Sequence, residues 1–175
     1  VEEEKIRRIV EVVNLAPSAG DLQAYEIVVV KDTKRRDILA KAAWGQDFVA
    51  EAPLCLVFLA CPERSSRKYG QRGTELYSIQ DATIAVSYAQ LAATAIGLAS
   101  TWVGAFDDEA VAKAVEAPET RRPVAILPIG YAAEIPDITP RRAIDEILSS
   151  ETSGTPYPFS FTDASYRRPV WKPKP

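Results

Sequence analysis

Between Ala16 and Tyr25 the chain reads Ala-Pro-Ser-Ala-Gly-Asp-Leu-Gln-Ala-Tyr, which gathers a hydroxyl (Ser18), a carboxylate (Asp21), a side-chain amide (Gln23) and the exposed amides of a turn into one short stretch. These groups exchange hydrogen bonds with the polar atoms of a small molecule. None of the 175 residues is His, so a Ser-His-Asp or Cys-His nucleophile system and a His-ligated zinc site are excluded. No catalytic nucleophile and no metal ligand is nominated, and the chemistry must come from other groups or from a cofactor. The eight glycines form neither a G-x-G-x-x-G after a strand nor a G-x-x-x-x-G-K, so neither a Rossmann dinucleotide site nor a P-loop is supported.

The totals describe a compact soluble domain with 47% hydrophobic and 26% charged residues and a net charge of −3. That balance, with no basic block longer than a pair, argues against nucleic acid as a partner. Cys55 and Cys61 sit on one face of an apolar run, about 20 Å apart along an extended chain, too far to bridge each other. They read as buried free thiols and point to a reducing, cytoplasmic setting. No charged segment followed by an apolar core opens the chain. The uncharged stretch 82–106 is rich in Ala, Ser and Thr and lacks basic anchors, so it reads as a buried helix and strand rather than a membrane span.

Positioning these groups requires a frame. Ile6, Ile9, Val10 and Val13 recur at helical spacing and predict a first helix over 2–15, stopped by Pro17. Strands are expected over 25–31, covered on both faces, and over 54–60, 98–105 and 124–131, the last with a bulge or edge at Pro128. Helices are expected over 34–43, 107–117 with an aspartate cap, and 141–148, with a short turn at 47–50. The segment 75–96 predicts a long helix, apolar nearly all round, that needs cover at the centre of the domain or from a second copy. The polar stretch 61–73 is expected to be a mobile surface loop. Its Arg67, Lys68, Tyr69 and Arg72 read either as a solvated basic loop or as groups that gate a substrate or steer a phosphate-bearing ligand. A domain over 1–148 is expected, followed by an extended Pro- and aromatic-rich tail over 149–175 that packs on the domain or on a partner subunit.

The order of these motifs resembles the FMN-dependent nitroreductase family. Ala16-Pro17-Ser18 and Gln23 match its A-P-S-x-x-N-x-Q-P-W pattern. Gly45 to Pro53, Gln80-Asp81-Ala82, Gly97-Leu98 with Trp102 to Phe106, Pro123-Val124 with Leu127 to Tyr131, and Pro140-Arg141-Arg142 follow in the same order. The resemblance implies an α+β fold, a three-layer sandwich with a central mixed sheet and a long central helix at a homodimer interface that holds two FMN molecules. It implies that Pro17, Ser18, Ala19, Asp21 and Gln23 lie against the flavin ring and that Gln46 reaches the ring's pyrimidine side. Val103, Gly104 and Ala105 would bring backbone N–H groups near N5, and Arg141 or Arg142 would bind the phosphate.

The resemblance further implies an oxidoreductase that passes a hydride from NAD(P)H through flavin N5 to an acceptor such as a nitroaromatic or quinone. Two alternatives stand beside it: a relative that uses reduced FMN for a specialised step, flavin breakdown or dehalogenation, and a degenerate non-catalytic flavin-binding dimer. Asp21 replaces the family's usual Asn, and Ala24-Tyr25 its Pro-Trp. The family's basic N-terminal stretch has no counterpart in the residues before Ala16, so that part of the implied phosphate site is not accounted for by these residues.

Overall fold

A computed structural model of the chain describes residues 1–134, 136, 137 and 139–158. The chain divides into two units, Val1–Ala132 and Ala133–Pro175. The first contains helices α1 (Glu3–Val13), α2 (Thr33–Ala42), α3 (Phe48–Glu51), α4 (Pro62–Arg72), α5 (Ser78–Ala95) and α6 (Asp108–Ala114). Its strands are β1 (Tyr25–Val30), β2 (Leu54–Ala60), β3 (Ala99–Ser100) and β4 (Arg122–Gly130).

The strands form one sheet in the order β1-β2-β4-β3. β2 is buried at every residue, as its continuous apolar run requires of a strand covered on both faces. One face of the sheet carries Leu56, Phe58, Leu127 and Ile129 against α1 and α5. The other carries Cys55, Val57, Leu59 and Ile126 against α2, α3 and α6. Small residues on α5, Ala82, Ala85, Ala89 and Ala93, are fully buried and let the helix lie close to the strands. Cys55 and Cys61 are free and buried, and burial pushes the Cys55 thiol up to about 12. Among the described residues no helix is long and apolar enough to cross a membrane.

This is the expected α+β architecture in three layers, but several details differ from expectation. Every described strand pairing is antiparallel, where a mixed sheet was expected. β2 and β3 both run against β4, hence in the same direction as each other, but β4 lies between them and no parallel pair forms. β1 was expected to be covered on both faces. It is an edge strand with Val29 and Glu26 exposed, because β-branched composition marks a strand without saying whether it has two neighbours.

The strand expected over 98–105 is only Ala99–Ser100 plus a bridge between Val103 and Ile126. Its ladder opens opposite Leu127 and Pro128, where proline supplies no N–H. The bulge itself falls between Phe58 and Leu59, not at Pro128, and β4 is an interior strand.

The stretch expected to be a loop over 61–73 is largely helix α4, opened by Pro62 in its first turn and kinked at Gly70, whose φ is +54°. A wide turn, Gly73–Tyr77, joins it to α5, so the long helix starts at Ser78 rather than 75. Gly73 permits this junction: a Cβ there would sit 2.6 Å from the Ser65 carbonyl oxygen. The aspartate cap of α6 is observed, with Asp107 accepting from Ala110 N at 2.9 Å.

In the second unit the helix expected over 141–148 is a single turn, Ile144–Glu146. The described part of the tail turns back on itself, with Ser149 bridging Pro156 and Ser150 N donating to Thr155 O at 2.9 Å. Most of the expected tail lies outside the described residues.

Candidate functional site

The turn that follows α1 is shaped by three left-handed residues in close succession, Gly20 (φ +59°), Asp21 (φ +59°) and Gln23 (φ +44°). Glycine reaches this region without penalty, and aspartate tolerates it better than most residues. The Asp21 side chain is exposed, and its position asks first for a residue that accepts this backbone, which the family's usual Asn also does.

Three of the turn's amides are satisfied from within. Ser18 Oγ accepts from Gln23 N at 3.0 Å, Asp21 N donates to Ser18 O at 3.1 Å, and Leu22 N donates to Ala19 O at 3.3 Å. Two further bonds come from α5. The carboxylate of Asp81, 1% exposed, accepts from Ala19 N at 2.9 Å through Oδ1 and from Ala24 N at 3.2 Å through Oδ2. Asp81 was read from the sequence only as part of a helix-opening motif. Its role depends on partners far along the chain, and the one local signal was an acid in an otherwise apolar helix.

Gln23 points back toward α1: its Nε2 donates to Asn14 Oδ1 at 3.2 Å and to Tyr25 Oη at 3.4 Å. The Tyr25 hydroxyl donates to Val13 O at 3.2 Å. Burial pushes its titration upward, against a smaller lowering from the Gln23 hydrogen bond and with a contribution from the Asp81 charge. Tyr25 therefore stays a donor. Pro17, Ser18 and Ala19 form one wall of an open cleft of about 460 Å³, whose other wall is Tyr77 with Gln80, Asp81, Thr83 and Ile84 of α5. Ser18 Oγ, already an acceptor for Gln23 N, keeps its own proton for a bound molecule.

A second group of nominated residues gathers on the opposite face of the sheet. Gln46 lies in the α2–α3 connection, where its Nε2 donates to Ala43 O at 2.9 Å and reaches Ala105 O at 3.5 Å. Asp107 N ties the same segment to Ala42 O at 2.9 Å. Val103 is buried, and its N–H donates to Ile126 O at 3.0 Å, so this amide is committed to the sheet. Gly104 and Ala105 are exposed, and their N–H groups have no hydrogen-bond partner among the described residues. A Cβ at Gly104 would meet Trp102 Nε1 at 3.2 Å.

The two groups thus offer different donors, a hydroxyl on one face and two adjacent amides on the other. No hydrogen bond or ion pair among the described residues joins them. Arg141 and Arg142 belong to the second unit, where Arg141 Nη1 donates to Thr139 Oγ1 and Arg142 pairs with Glu146 at 3.5 Å. Among the described residues no cluster of His, Cys, Asp and Glu could hold a metal ion.

The structure is a three-layer α+β sandwich whose glycine-bearing turn is clamped to its longest helix beside an open cleft. The comparisons with known proteins make this specific: residues 36–131 match the model of the nitroreductase family, and the chain belongs to that family. It is 30% identical over 161 residues to an NADH dehydrogenase of Thermus thermophilus, covering 77% of this chain and 78% of that protein. It is 28% identical over 165 residues to an FMN reductase [NAD(P)H] of Bacillus subtilis, covering 87% of this chain and 66% of that protein. Among solved structures, an FMN-dependent nitroreductase from Clostridium difficile superposes with a TM-score of 0.67 at 30% identity, covering 78% of this chain and 79% of that one.

Proposed function

We propose that this protein is an FMN-dependent oxidoreductase that takes a hydride from NAD(P)H and delivers electrons to a small acceptor such as a nitroaromatic or quinone. The observation that carries the reading is the clamp of Asp81 on Ala19 and Ala24, which holds the Pro17–Ala19 wall of the cleft rigid where the family resemblance puts the flavin ring. Bound FMN supplies the electron transfer, and the protein supplies orientation, hydrogen bonds and exclusion of water. Ser18 would donate from the turn and Gly104 and Ala105 from the opposite face. Gln46 holds the Ala105 segment in place.

Because those two donor groups sit on opposite faces of one sheet, a complete site calls for two copies of the chain. The free side of α5 supports this arrangement. Gln80, Ile84, Ser87 and Leu91 follow one another at helical spacing, and Leu91 is 70% exposed. An exposed stripe that mixes polar Gln80 and Ser87 with Ile84 and the protruding Leu91 fits burial against a second copy.

The test is direct. The purified protein is expected to carry, or to take up, a yellow flavin and to oxidise NAD(P)H in the presence of a nitroaromatic. Recovery of intact FMN after turnover separates this activity from one that consumes the flavin. A colourless protein that gains no FMN on reconstitution would overturn the reading.

A further inference from the structure

The cleft has a rim that the flavin reading does not use. Lys68 and Tyr69 of α4 lie directly over Gly20: a Cβ built on Gly20 would fall 2.6 Å from Lys68 Nζ and 2.5 Å from the Tyr69 hydroxyl. Tyr69 meets Tyr77 edge to face, with ring centroids 5.0 Å apart at 86°, and Tyr77 lines the cleft. Arg72 Nε donates to Tyr77 Oη at 2.9 Å, and its guanidinium lies 5.3 Å from the Tyr77 ring. Lys68 Nζ sits 5.4 Å from the Tyr69 ring. The kink at Gly70 lets one short segment present both cation and tyrosine pairs.

Lys68 and Arg72 have no carboxylate partner, a condition they share among the described residues with Lys34, Lys41, Arg67 and Lys113, and what sets them apart is the aromatic ring beneath each. Arg7, Arg8, Arg35, Arg121 and Arg122 each pair with a carboxylate. Arg36 and Arg64 end on backbone carbonyls. Among the described residues no carboxylate lies within ion-pair distance of Lys68 or Arg72: Glu75 accepts from Gln71 instead, and the exposed Asp21 makes no ion pair. Two cations without acid partners, each seated on an aromatic ring beside an open cleft, match a ligand that is flat and negatively charged.

We infer that Lys68 and Arg72, held on Tyr69 and Tyr77, form a specificity rim that selects substrates carrying an anionic group on or near an aromatic ring. The inference rests on the reading of this cleft as the place where substrate meets flavin. The anion has two sources, a carboxylate on the acceptor or the additional phosphate that distinguishes NADPH from NADH.

The experiment compares FMN-loaded wild type, K68Q, R72Q and the double variant, with K113Q as a control that removes the same charge from α6. Binding of para-nitrobenzoate and para-nitrobenzamide is measured by calorimetry, kcat/KM is measured for NADPH and NADH, and thermal melting establishes that each variant is folded. A loss of about tenfold in the preference for nitrobenzoate over nitrobenzamide in the double variant, absent in K113Q, supports the rim and assigns the anion to the acceptor. The same loss in the NADPH-to-NADH ratio supports it and assigns the anion to the donor. Unchanged preferences in folded variants overturn it. If the loaded protein oxidises neither nucleotide, the oxidoreductase reading fails, while the calorimetric preference still decides the rim.

Discussion

Asp81 on α5 accepts the backbone N–H of Ala19 at 2.9 Å across 62 residues of sequence. Its second oxygen takes Ala24 N, so one buried carboxylate holds both ends of a turn that contains three left-handed residues. A turn of that shape stores strain that its surroundings must offset.

Replacing Asp81 with Ala leaves two amides without an acceptor beneath the turn. We expect a loss of about 2–4 kcal/mol in urea unfolding, with D81N losing less because it keeps one acceptor oxygen. Flavin affinity is expected to fall at least tenfold in D81A. Wild-type stability and affinity in D81A would show that the turn holds itself.

Gly20 and Gly97 separate backbone strain from crowding. Both have positive φ, but a Cβ at Gly97 meets nothing within 4 Å, whereas one at Gly20 runs into Lys68 and Tyr69. G97A is expected to cost about 1 kcal/mol from backbone strain alone. G20A should cost more and also change the environment of Tyr69, read by its fluorescence or ring resonances. Equal costs and an unperturbed Tyr69 would contradict the packing described here.

Gln46 contributes a donor to two carbonyls, Ala43 O and Ala105 O. Q46A is expected to weaken FMN binding by roughly five- to tenfold through a looser Ala105 segment, with little change in melting temperature. Equilibrium flavin titration measures this, and unchanged affinity would remove Gln46 from the site.

Cys55 gives a pH signature. Burial raises its folded-state titration to about 12 from the ordinary thiol value of 9.0, so its contribution is complete below the unfolded value. As pH rises between these values the unfolded chain loses the thiol proton and the folded chain keeps it. Stability should therefore fall by up to roughly 1.4 kcal/mol per pH unit from this group. The C55A variant should show a shallower decline over that range in parallel urea titrations.

Leu91 tests the paired arrangement. L91E places a charge on the exposed stripe of α5 and is expected to yield a monomer in sedimentation velocity, with flavin lost in parallel. A monomeric wild type that binds FMN tightly would refute the two-chain site.

Much of this protein is set by local patterns. The spacing of Ile6, Ile9 and Val13, the unbroken apolar run of β2, the Asp107 cap and the left-handed turn chemistry around Gly20 are written within a few residues of where they act. The ordered motifs that identify the family are local in the same sense. The helix α4 was not legible, because two glycines and many charges resemble a loop until Ser65 and Gly73 pack together and the helix is held by tertiary contact. Two further decisions belonged to the tertiary structure. Asp81 finds its partners 62 and 57 residues away, and Lys68 settles over Gly20. Neither distance leaves a trace in residue spacing. The order of strands decided the rest, setting Ser18 on one face of the sheet and Gly104 on the other, because which strands become neighbours depends on how the helices cover both faces rather than on any single segment.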